Sequence, residues 1–384
     1  MHLFATIFFT LVAALWIVAG FAARRGMSRL PRLSAVNPAA GADLPCISIL
    51  FAARDEDEKL PAALSSLLAL DYPNFEVVGV NDRSSDATPQ ILDDFARRDP
   101  RVKVIHITEL PAGWLGKPHA LEAAYRAATG DWFVFTDSDV RFAPDLLGRS
   151  LAIVQEKRLD HLTLLSALDL RGFWEPTAVG YLGVCFAMGA RPWTTSDPKS
   201  KAYMGVGAFQ LIRRSVYEAI GTHRRLAMEV LDDMKLGKMV KRGGYRSGVA
   251  PSDSFLEIRW QEGIRNVIKG MTKNMFAGFE FKVWAVLVSV IAILCISVLP
   301  FAGLFVAAGT ARIAAGIAAT AAIVFEAGMM PHASASRWYG LTHPLGALIV
   351  IYIILRSMVV TLARGGIVWR DTFYPLDQLK RGIV

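Results

Sequence analysis

Trp132-Phe133-Val134-Phe135-Thr136-Asp137-Ser138-Asp139-Val140 runs an apolar, strand-forming stretch straight into two carboxylates one residue apart. In an extended chain, side chains two residues apart share a face, so Asp137 and Asp139 are expected to converge on one hard cation. A divalent ion held there can bridge the phosphates of a nucleoside diphosphate and stabilise the charge that develops as it leaves. A D-x-D triplet is also the composition of many solvated turns, so its weight depends on its company.

That company is ordered. Upstream, runs rich in β-branched and aromatic residues at 46–52, 75–80 and 102–107 read as strands with the one at 132–136, and helical patterns at 58–70, 86–97 and 118–128 lie between them. Alternation of this kind predicts a layered α/β domain on a mainly parallel sheet, reaching from Cys46 to about Trp260. Ligands of open α/β sheets bind at the carboxyl ends of the strands, and each strand here ends in polar residues. Ala53-Arg54-Asp55-Glu56 follows the first; read alone, it is also a charged helix start. Asn81-Asp82-Arg83-Ser84-Ser85-Asp86 follows the second, with Asp82 placed to bind a base or ribose and Asp86 placed to cap the next helix.

Two further elements carry chemistry. Gly113-Trp114-Leu115-Gly116-Lys117-Pro118 puts glycines and one lysine before a helix, an arrangement that can hold phosphate but is not the P-loop of kinases and ATPases. Leu231-Asp232-Asp233-Met234 sits on a helical pattern. Neighbours on a helix point about 100° apart, so one of the two acids is expected to face a site, as base for a hydroxyl, unless both are solvated surface.

The 384 residues are 53% hydrophobic, and the excess sits at the two ends. An apolar run over 3–23 ends at Arg24 and Arg25. Its charge follows the run, whereas a cleaved signal peptide carries charge before it, so 1–23 reads as an anchor with the following domain in the cytoplasm. A Pro, Ala, Gly and Asn stretch makes 24–45 a linker. Residues 261–282 carry Ile264, Val267, Ile268 and Met271 on one helical side with Arg265, Lys269 and Lys273 elsewhere, which fits either a helix on a membrane surface or an ordinary domain helix. Apolar segments at 283–308, 313–330 and 345–362 give a region of two or three spans over 283–363, followed by a basic tail over 364–384. Three crossings would put that tail outside, yet Arg364, Arg370, Lys380 and Arg381 favour inside. The apolar stretch 179–190, with Tyr181, Phe186 and Trp193, reads equally as an interfacial segment and as a core helix.

The three cysteines offer no paired spacing, so neither a disulfide framework nor a zinc site is expected. The net charge of +8 falls largely beside apolar segments, which points to anionic lipid headgroups and away from nucleic acid.

Taken together, the four ordered acidic motifs resemble family-2 inverting glycosyltransferases of the GT-A fold. The resemblance is nearer to the membrane-bound branch with ceramide-glucosyltransferase-like and hopanoid- or carotenoid-associated bacterial enzymes. It implies an α/β GT-A domain with an N-terminal anchor and C-terminal transmembrane helices, in the inner or plasma membrane. It also implies that Asp55 and Asp82 contact the nucleotide, that Asp137 and Asp139 bind Mg2+ or Mn2+, that Lys117 meets the diphosphate and that Asp233 is the general base. Asp232 stands where that family usually has Glu. Arg259-Trp260 matches part of a Q-x-x-R-W signature, with Leu256 in place of Gln, which disfavours processive polymer synthesis and favours transfer of one sugar. Trp369-Arg370 with Tyr374 is similar to a Trp-Arg-x-x-x-Tyr element of the branch. The implied donor is a nucleotide-diphosphate sugar, with UDP-sugars first, and the implied acceptor is a lipid. Rival readings are a processive polysaccharide synthase, a nucleotidyltransferase of similar fold, and a transporter or flippase subunit with a nucleotide-binding regulator.

Overall fold

The computed structural model describes residues 2–41 and 43–384; Met1, in the expected anchor, and Ala42, in the expected linker, lie outside the described residues. After α1 (His2–Met27), the chain alternates β1 (Ile47–Ala53), α2 (Leu60–Leu68), β2 (Phe75–Asp82), α3 (Thr88–Arg98), β3 (Val102–Ile107), α4 (Gly116–Ala127) and β4 (Trp132–Asp137). Then come β5 (Val140–Phe142), α5 (Leu146–Lys157), β6 (His161–Leu165), β7 (Ala167–Leu168), α6 (Trp174–Ala190), β8 (Gln210–Arg213), α7 (Arg214–Ala219), α8 (Asp232–Arg242), β9 (Ser247–Pro251) and β10 (Leu256–Ile258). The last part holds α9 (Gly263–Gly278), α10 (Val283–Ile293), α11 (Leu299–Val306), α12 (Gly309–Met329), α13 (His343–Arg364), β11 (Gly366–Trp369), β12 (Thr372–Pro375) and α14 (Leu376–Arg381).

The chain divides into two compact units. The first is α/β and comprises Leu30–Ala167, Thr194–Arg259 and Val368–Val384. Its seven-stranded sheet runs β3-β2-β1-β4-β8-β6-β9. Strands β3, β2, β1 and β4 are mutually parallel, as expected, and β8 enters antiparallel to both β4 and β6. Near-continuous apolar runs make these strands: every residue of β2 is buried, and β1 is buried at all positions but Ala52. Such runs fit strands covered on both faces. The register places Ala53 beside Asn81 and Ala52 beside Asp137, so the ends of β2, β1 and β4 form one edge. A buried glutamate serves this frame. Glu76 accepts hydrogen bonds from Ser48 and Thr129 and pairs with Lys103; burial opposes its charge, but these partners hold its carboxyl at about 2.

The second unit is helical and comprises the chain up to Arg29, Leu168–Trp193 and Trp260–Ile367. Four helices are long and apolar enough to cross a membrane: His2–Met27, Val283–Val306, Gly309–Ala333 and Arg337–Arg364. Within the second of these, a π turn at Leu294–Val298 precedes Pro300, whose missing N–H forbids a regular bond.

The expected single stretch 46–260 is therefore interrupted. Helix α6 is apolar nearly all round, and its buried residues, among them Ala178, Val179, Tyr181 and Val184, belong to the helical unit. The apolar stripe of α9 is covered in the same unit: Ile264, Val267, Ile268 and Met271 pack with Ala178, Val179, Leu182, Ile349 and Ile353.

Candidate active site

The edge formed by β2, β1 and β4 holds the acidic residues singled out in the sequence. Asp82 ends β2, is buried, and takes a two-pronged contact from its neighbour Arg83, at 2.7 Å from Nε and 3.1 Å from Nη2. Gly116 is glycine for this reason: a Cβ there would lie 2.3 Å from Asp82 Oδ2. Asp55 adopts φ +52° just past β1, and its Oδ1 accepts from Ser85 N at 2.8 Å and Ser85 Oγ at 3.1 Å. The two strand ends are thereby tied to each other. Asp86 lies one residue before the cap position, which falls on Ala87; it accepts from Thr88 N at 2.9 Å and also receives Asp57 N at 3.1 Å.

Strand β4 ends at Asp137, and Ser138-Asp139 form a turn rather than extended chain. The two carboxylates therefore approach through a turn, not through the pleat of one strand. Burial, with the charges of Asp137 and Glu56, pushes the Asp139 carboxyl up to about 7, and Lys59 at 4.0 Å offsets only part of this. Surplus negative charge of this kind fits a divalent cation held by Asp137 and Asp139. Among the described residues, no three His, Cys, Asp or Glu side chains group closely enough to hold a metal alone. A cation taking one or two carboxylates and completing its shell with phosphate and water needs no more.

Lys117, in the first turn of α4, donates from Nζ to Asp137 Oδ1 at 2.6 Å. Burial works against its charge, but Asp137, Asp232 and Asp233 outweigh that and keep the ammonium well above the usual lysine range. Lys117 lines a cleft with Leu121, Phe135, Thr136, Gly207, Gln210, His223, Asp232 and Asp233.

Asp233 lies in the first turn of α8, where a carboxylate suits the helix dipole. Its Oδ2 accepts from Gly207 N at 3.0 Å and its Oδ1 from Met234 N at 2.7 Å. A Cβ on Gly207 would lie 2.8 Å from Asp137 Oδ2 and 3.3 Å from Asp233 Oδ2, so both carboxylates face that glycine. Burial raises the Asp233 carboxyl and Asp137 adds to this, while Lys117 and the two N–H groups pull it back. Asp232 is buried and Asp233 only partly so, which separates the two adjacent acids.

Several site residues escaped the sequence reading. The segment Met204-Gly205-Val206-Gly207 rides directly on α8: a Cβ at Gly205 would lie 1.9 Å from Asp233 O, and one at Gly237 1.9 Å from Met204 O. Two glycines just before a strand were the available signal. Buried Gln210 accepts from His161 Nε2 at 3.0 Å, and because an amide oxygen only accepts, His161 carries its proton there and takes Ser247 Oγ at 2.9 Å on Nδ1. His223 lies beside Tyr217 OH at 2.6 Å, and burial, with help from Lys117, drives its imidazole down to about 3.

The basic tail returns to this unit. Arg370 pairs with Glu56, Tyr374 adds to what keeps the Arg83 guanidinium charged, and Lys235 donates to Val384 O at 3.1 Å. Arg259 offers its carbonyl to Lys59 Nζ at 3.3 Å, whereas Trp260 packs in the helical unit's apolar cluster with Val267 and Ile353.

Residues 48–221 match Glycosyl transferase family 2. The chain carries a family 2 glycosyltransferase domain. Beta-monoglucosyldiacylglycerol synthase of Trichormus variabilis is 31% identical over 135 residues, covering 34% of this chain and 28% of that protein. The 4,4'-diaponeurosporenoate glycosyltransferase of Staphylococcus haemolyticus is 25% identical over 240 residues, covering 60% of this chain and 61% of that one. This chain thus spans less than two thirds of either relative. A solved mannosyltransferase of Pyrobaculum calidifontis, in complex with GDP-Man and Mn2+, superposes with a TM-score of 0.56 at 18% identity, covering 91% of this chain and 99% of that one. The family 2 domain accordingly has the GT-A fold that the acidic motifs imply.

Proposed function

We propose that the chain is a membrane-bound glycosyltransferase that moves one sugar from a nucleotide-diphosphate sugar to a lipid hydroxyl, with inversion at the anomeric carbon. The observation that carries this reading is that Lys117 lines one cleft with Asp233 and bonds Asp137, while both carboxylates face Gly207, at the carboxyl edge of the sheet. Asp233, its carboxyl raised by burial, takes the proton of the acceptor hydroxyl as the oxygen attacks the anomeric carbon and the nucleoside diphosphate departs from the opposite side. Lys117 meets the negative charge of the departing diphosphate, and Asp55 and Asp82 orient the nucleotide. Asp137 and Asp139 would hold Mg2+ or Mn2+; such a cation supplies further charge neutralisation to the leaving group. A carboxylate is a weak base for an alcohol, so positioning and leaving-group stabilisation carry most of the rate.

A lipid acceptor is supported by two relatives named for a diacylglycerol glycolipid and for diaponeurosporenoate, and by the four apolar helices. Arg24 and Arg25 at the end of α1 support a cytoplasmic catalytic unit. UDP-sugars come first among donors, and the GDP-Man of the superposable mannosyltransferase puts GDP-sugars on the same panel.

The test is transfer of label from UDP- and GDP-sugars into the lipid extract of membranes bearing the full chain. Labelled lipid carrying a single sugar is expected from one donor. Label retained in insoluble polymer would replace this reading with processive synthesis. Nucleotide binding without transfer from any donor would replace it with a regulatory domain.

A further inference from the structure

The α/β unit is assembled from three separate pieces of chain. A folded polar domain lies on one face of a membrane, so any stretch that leaves it and returns crosses an even number of times. The stretch Trp260–Ile367 is such an excursion, and it contains three segments long and apolar enough to cross. At least one of the three then does not cross.

Packing inside the helical unit identifies which one. Helices α1 and α12 run parallel: Thr6 meets Thr310 at 3.0 Å, Phe9 clusters with Ala314 and Ala315, and Trp16 lies 5.3 Å from Phe325. The α10–α11 segment runs opposite to both, because Gly303 abuts Phe9 while Trp16 Nε1 donates to Ile296 O at 2.9 Å. These three alternate in direction as crossing helices do, and they bring the chain back at Met329 to the end where α1 stops at Met27.

We infer that α13 is not a transmembrane span but enters and leaves the lipid on the face that carries the α/β unit. Its first residue is tied back to the last turn of α12, where His343 Nδ1 meets Glu326 Oε2 at 2.7 Å and both side chains are buried. Its covered face rests on the two helices that adjoin the α/β unit in sequence. Gly346 abuts Thr177 and Tyr181 of α6, and Ser357 takes Phe276 N of α9 at 2.9 Å. Its open face carries Leu345, Leu348, Tyr352, Val359 and Leu362, a stripe along the whole helix, and in line with them the exposed Arg356. A lipid-facing arginine about two turns inside a spanning helix is costly, whereas on a helix lying at one face its guanidinium reaches the lipid phosphates. The occupant of this stripe is the adjoining lipid monolayer.

Two measurements on the full chain in membranes test this. With Cys46, Cys185 and Cys295 replaced by serine, single cysteines at Ala308, Ser336 and Arg364 are labelled by a membrane-impermeant maleimide in sealed vesicles of either orientation. Ser336→Cys and Arg364→Cys should label in the same orientation, about tenfold over the other, with Ala308→Cys reversed. Labelling of positions 336 and 364 from opposite faces overturns the inference. Spin labels at Leu345 and Leu362 give an independent depth. Both should report one leaflet, whereas a crossing helix would separate them by about 25 Å, 17 residues at 1.5 Å each.

Discussion

The protonation of Asp139 gives a stability prediction that follows from the site itself. Burial, then Asp137 and Glu56, lift this carboxyl from the ordinary 3.8 to about 7. The folded protein therefore holds the proton more tightly than the unfolded chain. The associated stability is fully present below about pH 4 and is lost as pH rises through 7. At about 1.4 kcal/mol per pH unit the full effect is about 4 kcal/mol, which is an upper bound because the side chain retains some contact with water. For a domain of this size that corresponds to roughly 10 °C in Tm. The assay is thermal unfolding of the purified full chain from pH 5 to 8.5 in chelator, for wild type and Asp139→Asn, and again with Mn2+. Wild type should lose stability relative to Asp139→Asn as pH rises, and Mn2+ should restore the high-pH limb of wild type alone, since a ligand that binds only the folded state stabilises it. Identical pH slopes for the two proteins would show that Asp139 does not hold this proton, and equal Mn2+ stabilisation of both would show that it does not bind the cation.

Three other outcomes follow from neighbouring contacts. Lys117→Met removes the cation that meets Asp137 at 2.6 Å, and turnover should drop about a hundredfold or more, measured as initial rates at saturating donor. Gly205→Ala places a methyl where Asp233 O stands at 1.9 Å; the loop must move off α8, and a loss of about 1–3 kcal/mol in unfolding free energy should accompany a fall in kcat. Glu76, held at about 2, contributes stability that is present above its unfolded value of 4.5 and lost as pH falls towards 2, so Glu76→Gln should cost up to about 3 kcal/mol at pH 7 and little at pH 2.5, read by denaturant titration.

Much of this was legible in the sequence because parallel strands buried on both faces leave near-continuous apolar runs. Those at 75–82 and 132–137 end in Asp82 and Asp137, two acids of the candidate site. Asp86 reads as a cap from its place before Thr88, whereas the cap position falls on Ala87 and Asp86 bonds Thr88 N from one residue further back. What was illegible depended on distant partners. An apolar helix such as α6 looks the same whether it packs in an α/β core or among membrane helices, so its place in the helical unit had no local signature. Gly205 and Gly207 matter through contact with α8, more than twenty residues on, and Arg370 reaches Glu56 across most of the chain. The turn at Ser138-Asp139 also defeated the two-residue periodicity, which holds only while the strand continues.

The measurement that bears most directly on the central claim is sugar transfer by Asp233→Asn beside wild type, each in Mn2+ and in chelator, with binding of the nucleotide sugar followed in parallel. The substitution keeps an acceptor for Gly207 N–H and removes the base. With Asp233 as the base, kcat falls at least about a hundredfold while donor affinity stays within about threefold, and chelator abolishes wild-type transfer. Retention of wild-type turnover by Asp233→Asn, in the presence of normal donor binding, would contradict it.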